Sequence, residues 1–178
     1  MRSKMQFRFA ATLPTTVCDL DPSERLLLAC YRQWVSGLAK QDETALEAAW
    51  RGMICRLGVE DARHALSALS ELVFRLAGHA ARTIHHHQAC CRMIGLDEWY
   101  LLRLVSACQE ETGDCAREAA LRFVGREGTG PVAEAAMRLA AALRRGGYPL
   151  PDRSPMAERI ERALAGMAAE PAPGLPLH

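Results

Sequence analysis

The sequence predicts an all-α fold, a bundle of about six or seven helices, and three observations favour it. Ala, Leu, Arg and Glu dominate the central region, where Val, Ile and aromatic residues are scarce. Apolar residues recur at helical spacing, and helix-capping residues precede those apolar stripes. We therefore assign residues 1–20 to a flexible N-terminal segment, 21–147 to a single helical bundle domain, and 148–178 to a Pro-rich linker with a short helix and a disordered tail.

The first three predicted helices are antiparallel neighbours in this bundle. Asp21, Pro22 and Glu24 form the pattern of a capped helix start, and this helix runs to about residue 40. Asp42 begins the second helix, Gly58 ends it, and the third helix covers about 60–81. The three apolar stripes are Leu27, Tyr31, Trp34 and Leu38; Leu46, Trp50, Met53 and Leu57; and Ala62, Leu66, Leu69, Val73 and Leu76.

Shorter helices are predicted after residue 82. Capping residues or proline mark their starts, and glycines mark their ends. A final amphipathic helix at 155–168 is the best candidate surface for a protein partner. The other predicted helices are a short one between Thr83 and Gly95, 98–112 with Asp97 as its N-cap, 114–125 after Gly113, and one from Pro131 to Gly146.

Composition restricts the classes of function. Lys and Arg total 22, Asp and Glu total 21, and the net charge of +1 gives no global field that would draw the chain to nucleic acid or a membrane. No apolar run reaches the roughly 18 residues of a membrane span, and Arg8 and Pro14 interrupt any export signal at the N-terminus. Seven cysteines, an odd number, are typical of reduced thiols. We therefore expect a cytoplasmic protein.

One cluster of residues has the chemistry of a metal site. In a helix, His86 and Cys90 would share a face, as would His87 and Cys91, because each pair is four positions apart. Imidazole and thiolate are the ligands that zinc prefers. The predicted site is therefore zinc held by these four residues, with further ligands from elsewhere or from a second copy in a homodimer. His79 and His85 are the additional candidates.

Other interpretations of the cluster remain open. The histidines fit a solvated helix end as well, and the adjacent cysteines fit redox-active thiols. Asp97 and Glu98 fit helix capping better than metal binding, and no Glu-x-x-His motif of a di-iron bundle occurs. Cys30, Cys55 and Cys108 are predicted to be small core residues.

The predicted function is that of a non-enzymatic binding or regulatory protein that acts as a homodimer. One alternative is a metal-free protein–protein interaction module that uses an apolar helix face and the 155–168 helix. The other is a small enzyme with a catalytic metal or thiol in the cluster and Glu98 as a nearby acid. A helix-turn-helix at 98–112 and 114–125 would carry too few basic residues for DNA recognition.

Overall fold

The computed structural model describes residues 16–109 and 113–152, and this part of the chain is all-α. No strand occurs in the described residues, which confirms the predicted class. Five α-helices occur there, fewer than the six or seven expected, and the predicted helix at 155–168 lies outside the described residues. The helices are α1 (Pro22–Lys40), α2 (Glu43–His79), α3 (Leu96–Ala107), α4 (Gly113–Ala120) and α5 (Thr129–Arg145), with 3-10 turns at Val17–Asp19 and Arg126–Gly128.

The start of α1 is capped as the sequence predicts. Asp21 accepts a hydrogen bond from the Ser23 N–H (2.9 Å), and the Glu24 carboxylate accepts one from the Asp21 N–H (2.8 Å). Pro22 occupies the first helical position, where a missing N–H costs nothing. The backbone N–H groups in the first turn of a helix have no partner within the helix, and these contacts satisfy some of them. Asp21, Pro22 and Glu24 therefore fix the residue at which α1 begins.

Helix α2 is interrupted at Gly58, where the backbone adopts φ 77° and ψ 169°. Trp50 from the first half and Phe74 from the second line the same surface groove. In one straight helix these positions would lie about 36 Å apart, so the two halves fold back on each other. This confirms that a helix ends at Gly58, as predicted, although the two halves are described together here as α2.

The later helices are shorter than predicted or displaced. Gly95, not Asp97, is the N-cap of α3, and α3 ends at Ala107 instead of near 112. Helix α4 ends at Ala120, because the chain turns there and passes towards the end of α2, where the Ala81 N–H donates to the Phe123 carbonyl (3.0 Å). Helix α5 ends at the predicted Gly146-Gly147 pair.

The core lies around α2, which packs against α1 on one side and α5 on the other. Helices α3 and α4 close the remaining face against α5. None of the described helices combines the length and apolar character that crossing a membrane requires. The largest fully buried apolar side chains are Leu27, Leu28, Met53, Leu69, Leu72, Leu101, Leu102, Leu104, Phe123, Leu139 and Leu143.

Gly58→Ala tests the break in α2. The Gly58 backbone lies in a region that is essentially restricted to glycine, so alanine should lower the free energy of unfolding by about 1–3 kcal/mol. The matched control is Gly78→Ala in the same helix, where φ is not positive and an added Cβ would meet no atom within 4 Å. The control should be neutral or stabilise by up to about 1 kcal/mol. Equal losses in urea unfolding of both variants would contradict this account of the break.

Candidate functional site

The predicted helix between Thr83 and Gly95 does not form. Residues 80–95 connect α2 to α3 as an irregular loop, termed here the 80–95 loop, with one tight turn in which the Cys91 N–H donates to the Gln88 carbonyl (3.0 Å). Connections longer than about 12–15 residues without secondary structure are uncommon in compact domains and are usually either functional or disordered linkers, and this loop is held by many contacts. The contacts that hold this loop therefore identify the candidate site.

A buried ion pair between Arg32 of α1 and Glu98 of α3 lies beneath this loop. Arg32 Nε donates to Glu98 Oε1 and Arg32 Nη2 donates to Glu98 Oε2, both at 2.7 Å. The side chains are 2% and 0% exposed. A bidentate guanidinium–carboxylate pair fixes both distance and orientation, so α1 and α3 are held in one relative position.

The same two side chains bind the backbone of the loop. Arg32 donates to the carbonyls of Cys91 and Met93, both at 2.6 Å. Glu98 accepts hydrogen bonds from the N–H groups of His87 and Gly95, both at 2.8 Å. Buried backbone groups in an irregular segment need such partners, because no helix supplies them. We call this arrangement the Arg32–Glu98 hub.

A second ion pair extends the hub. Asp97 Oδ2 accepts a hydrogen bond from Arg82 Nη1 (3.0 Å) and one from the His85 N–H (2.8 Å), and Asp97 Oδ1 contacts Arg82 Nη2. The Asp97 carboxylate, mainly through this hydrogen bond, raises the pKa of Arg82. Asp97 was predicted to cap α3, but its carboxylate instead binds the Arg82 side chain and the His85 N–H of the 80–95 loop.

The environment of Glu98 keeps this carboxyl ionised. Burial alone raises its pKa, but the hydrogen bonds from Arg32, Gly95 and His87 outweigh burial and lower the pKa to about 2. A carboxylate that is fully buried and already accepts these donors has no proton to give near neutral pH. Glu98 therefore does not fit the role of a catalytic acid that the enzyme alternative requires.

The predicted metal ligands do not form a common site. His87 Nδ1 lies 2.9 Å from Glu98 Oε2, and because a carboxylate only accepts, this nitrogen donates and is not available to a metal. His86 Nδ1 likewise donates to the His87 carbonyl (3.1 Å), and its ring contacts Tyr31 edge-on. The zinc prediction assumed a helix, in which residues four positions apart share a face. This part of the chain is not helical, so the four-residue spacing does not bring His86 and Cys90, or His87 and Cys91, onto one face.

The remaining candidates lie apart from these imidazoles. Cys90 is exposed, and Cys91 binds the hub through its carbonyl. His79 is the last residue of α2 and lies against Gly128, since a Cβ added to Gly128 would come within 2.7 Å of the His79 Cβ. The backbone N–H of His85 donates a hydrogen bond to Asp97. In residues 16–109 and 113–152, no group of three or more His, Cys, Asp or Glu side chains is placed to hold a metal ion.

The seven cysteines all lie in the described residues, and none of them forms a disulfide there. Burial raises the pKa of Cys30 and of Cys108 to about 12, so these two thiols are inert. Cys30 is a core residue as predicted, Cys108 is half-buried, and Cys55 is exposed, which contradicts its predicted place in the core. Cys55 lies two positions from both Met53 and Leu57, so it faces away from the side of the helix that these two residues bury.

An apolar groove of about 540 Å³ lies between α1 and the two halves of α2 and was not predicted as a site. Phe74, which lines it, is 74% exposed and is the most exposed of the large apolar side chains in the described residues. Trp34 and Trp50, predicted as core residues, are only half-buried because they form its wall. The lining residues are Trp34, Trp50, Arg63, Leu66, Ser67, Ser70, Glu71 and Phe74.

No protein-family model matches this chain, and neither the curated proteins nor the solved structures contain a significant match. The geometry of the described residues is therefore the basis for a functional proposal.

Glu98→Gln tests the hub. The amide keeps the shape of the side chain but leaves the buried Arg32 charge uncompensated, so the free energy of unfolding at pH 7 should fall by about 3–5 kcal/mol. The matched control is Glu47→Gln, which removes an exposed pair with Arg51 in α2 and should cost less than about 1 kcal/mol. Urea unfolding measures both variants, and similar small losses would contradict a structural role for the hub.

The same carboxylate predicts a pH dependence of stability. Its folded pKa of about 2 lies below the ordinary value of 4.5, so its contribution is fully present above pH 4.5 and is lost as pH falls towards 2. Unfolding measured across this interval should show a steeper loss for the natural chain than for Glu98→Gln. Parallel pH profiles for the two proteins would contradict the assignment of this loss to Glu98.

Proposed function

We propose that this chain is a non-enzymatic protein–protein interaction module that acts as a homodimer, with the α2 groove as the surface between two copies. The observation that carries the proposal is the exposed aromatic and apolar lining of this groove, in particular Phe74. Contiguous apolar surfaces of this kind are typical of interfaces. The proposal needs no metal, and it develops the metal-free alternative.

The groove has the shape of a surface that can pair with itself. Phe74 lines the groove together with Trp34, Trp50 and Leu66 and is 74% exposed, so one face offers both a hollow and a large side chain that could enter the hollow of a second copy. A two-fold symmetric interface requires this combination, because the same patch must supply both partners. Ser67 and Ser70 also line the groove, and their small side chains would let the α2 helices of two copies approach closely.

The charges at the groove favour a second copy over an unrelated partner. Arg63 and Glu71 line the groove about two helical turns apart, on either side of Ser67. If two α2 helices cross antiparallel about an axis near Ser67, Arg63 of each copy faces Glu71 of the other. Glu71 already binds Arg138 at 2.6 Å, which holds its carboxylate in place for such a contact. Complementary charges of this kind fix the register of an interface.

We propose that this protein works in a reducing cytoplasm and that residues 21–147 form a single helical bundle. The absence of disulfides among the seven cysteines, all of which lie in the described residues, supports a reducing compartment, since six of these cysteines are half-buried or exposed. A dimer that is stable without disulfides fits this setting. The 155–168 segment remains a candidate for a further partner.

Phe74→Ser tests the proposed interface. The side chain is largely exposed in one copy, so its loss should leave the fold intact but weaken self-association at least about 10-fold, as expected when a central aromatic contact is removed. Sedimentation equilibrium measures the association, and circular dichroism checks that the helices persist. The control Leu121→Ser removes a 48% exposed apolar side chain outside the groove and should leave association unchanged.

The charge contact has its own pair of variants. Arg63→Glu would place two carboxylates against each other at both symmetric positions and should weaken the dimer, whereas Arg56→Glu makes the same change of charge outside the groove and should not. A monomeric natural chain at all concentrations tested would overturn the proposal and leave the groove to the 155–168 segment or to a different protein. A dimer unaffected by Phe74→Ser would overturn it too.

A further inference from the structure

A second concave surface, separate from the groove, lies where the 80–95 loop leaves α2. It is a cavity of about 260 Å³. Engineered cavities of about 150 Å³ with apolar walls already bind benzene, so this one has room for a molecule with two fused rings. Its apolar walls come from α1, α2 and the loop, and are formed by Val35, Val73, Leu76, Ala77, Ala80 and Ile84.

Tyr31 supplies an unused polar group at this cavity. Its side chain lines the cavity and the residue is 4% exposed, yet among residues 16–109 and 113–152 its hydroxyl has no hydrogen-bond partner. The hydroxyl is not sealed off by the protein, and at the cavity wall it can donate one hydrogen bond and accept another. A ligand hydroxyl in the cavity would satisfy it.

The charges near the cavity are balanced. Arg32 is paired with Glu98 and Arg82 with Asp97, so these two cations and two carboxylates add no net charge beside the cavity. Burial, with smaller contributions from Glu98 and Asp97, raises the pKa of Tyr31, which keeps its hydroxyl neutral and able to donate. The remaining polar residues of the lining are Arg82, Thr83 and His86. Such a site suits an uncharged molecule better than an ion.

We propose that this cavity binds a small uncharged molecule with an apolar, aromatic body and one hydroxyl group, which hydrogen-bonds to the Tyr31 hydroxyl. The site is independent of the proposed dimer, because none of its lining residues lines the groove. The hub holds the loop that supplies Ile84 and His86, so it also holds one wall of the cavity. The chain would thus have a ligand site in addition to an interface.

The experiment compares 2-naphthol with naphthalene, which lacks the hydroxyl, by following backbone amide shifts in NMR titrations of the full chain. The natural chain should bind 2-naphthol about 5- to 10-fold more tightly, the difference that one hydrogen bond of about 1 kcal/mol provides. Tyr31→Phe should keep the affinity for naphthalene and abolish the preference for 2-naphthol. This comparison isolates the hydroxyl contact from general apolar binding.

A second pair of variants locates the binding. Ala77→Phe fills the cavity from an exposed position and should abolish binding of both compounds, whereas Ala39→Phe, at an exposed position of α1 outside the cavity, should leave both affinities unchanged. Absence of binding by the natural chain would overturn the proposal. Binding that survives Ala77→Phe, or a preference for 2-naphthol that survives Tyr31→Phe, would overturn it as well.

Discussion

The bidentate ion pair between Arg32 and Glu98 is the interaction on which the arrangement of this molecule depends. It joins α1 to α3, and its unused hydrogen-bonding capacity binds the backbone of the 80–95 loop at Cys91 and Met93, and at His87 and Gly95. Buried ion pairs gain little net stability against apolar replacements of the same volume, but they fix one geometry. Here the geometry that they fix is the path of an irregular loop, which apolar packing alone would not determine.

Because the hub fixes this loop, the surfaces beside it have defined shapes. Ile84 and His86 form a wall of the cavity next to Tyr31, and Thr16 and Val17 pair with the loop at Met93 and Arg92. The aromatic groove depends on a different constraint, the break at Gly58 that brings the two halves of α2 together. One glycine conformation and one ion pair therefore position both of the surfaces for which a binding role is proposed.

The sequence predicts the helices well and the site poorly, for identifiable reasons. Asp21, Asp42 and Gly58 act through neighbouring backbone, so local patterns reveal the bounds of α1 and α2. The histidine and cysteine cluster was assigned to a helix because Thr83 and Gly95 resemble helix ends, but the hub supplies partners for the loop backbone and the helix does not form. Arg32 contacts residues about sixty positions away, which no local pattern can show; its only signal was a charge within the apolar part of α1.

The most direct test of the central claim is the pKa of the Glu98 carboxyl, followed by NMR of its side-chain carbon during an acid titration. We expect a pKa of about 2, because Arg32 and the loop N–H groups stabilise the charged form of Glu98 despite burial. A value near the ordinary 4.5 would mean that these donors do not converge on Glu98 in solution. The hub, and the loop geometry that depends on it, would then be contradicted.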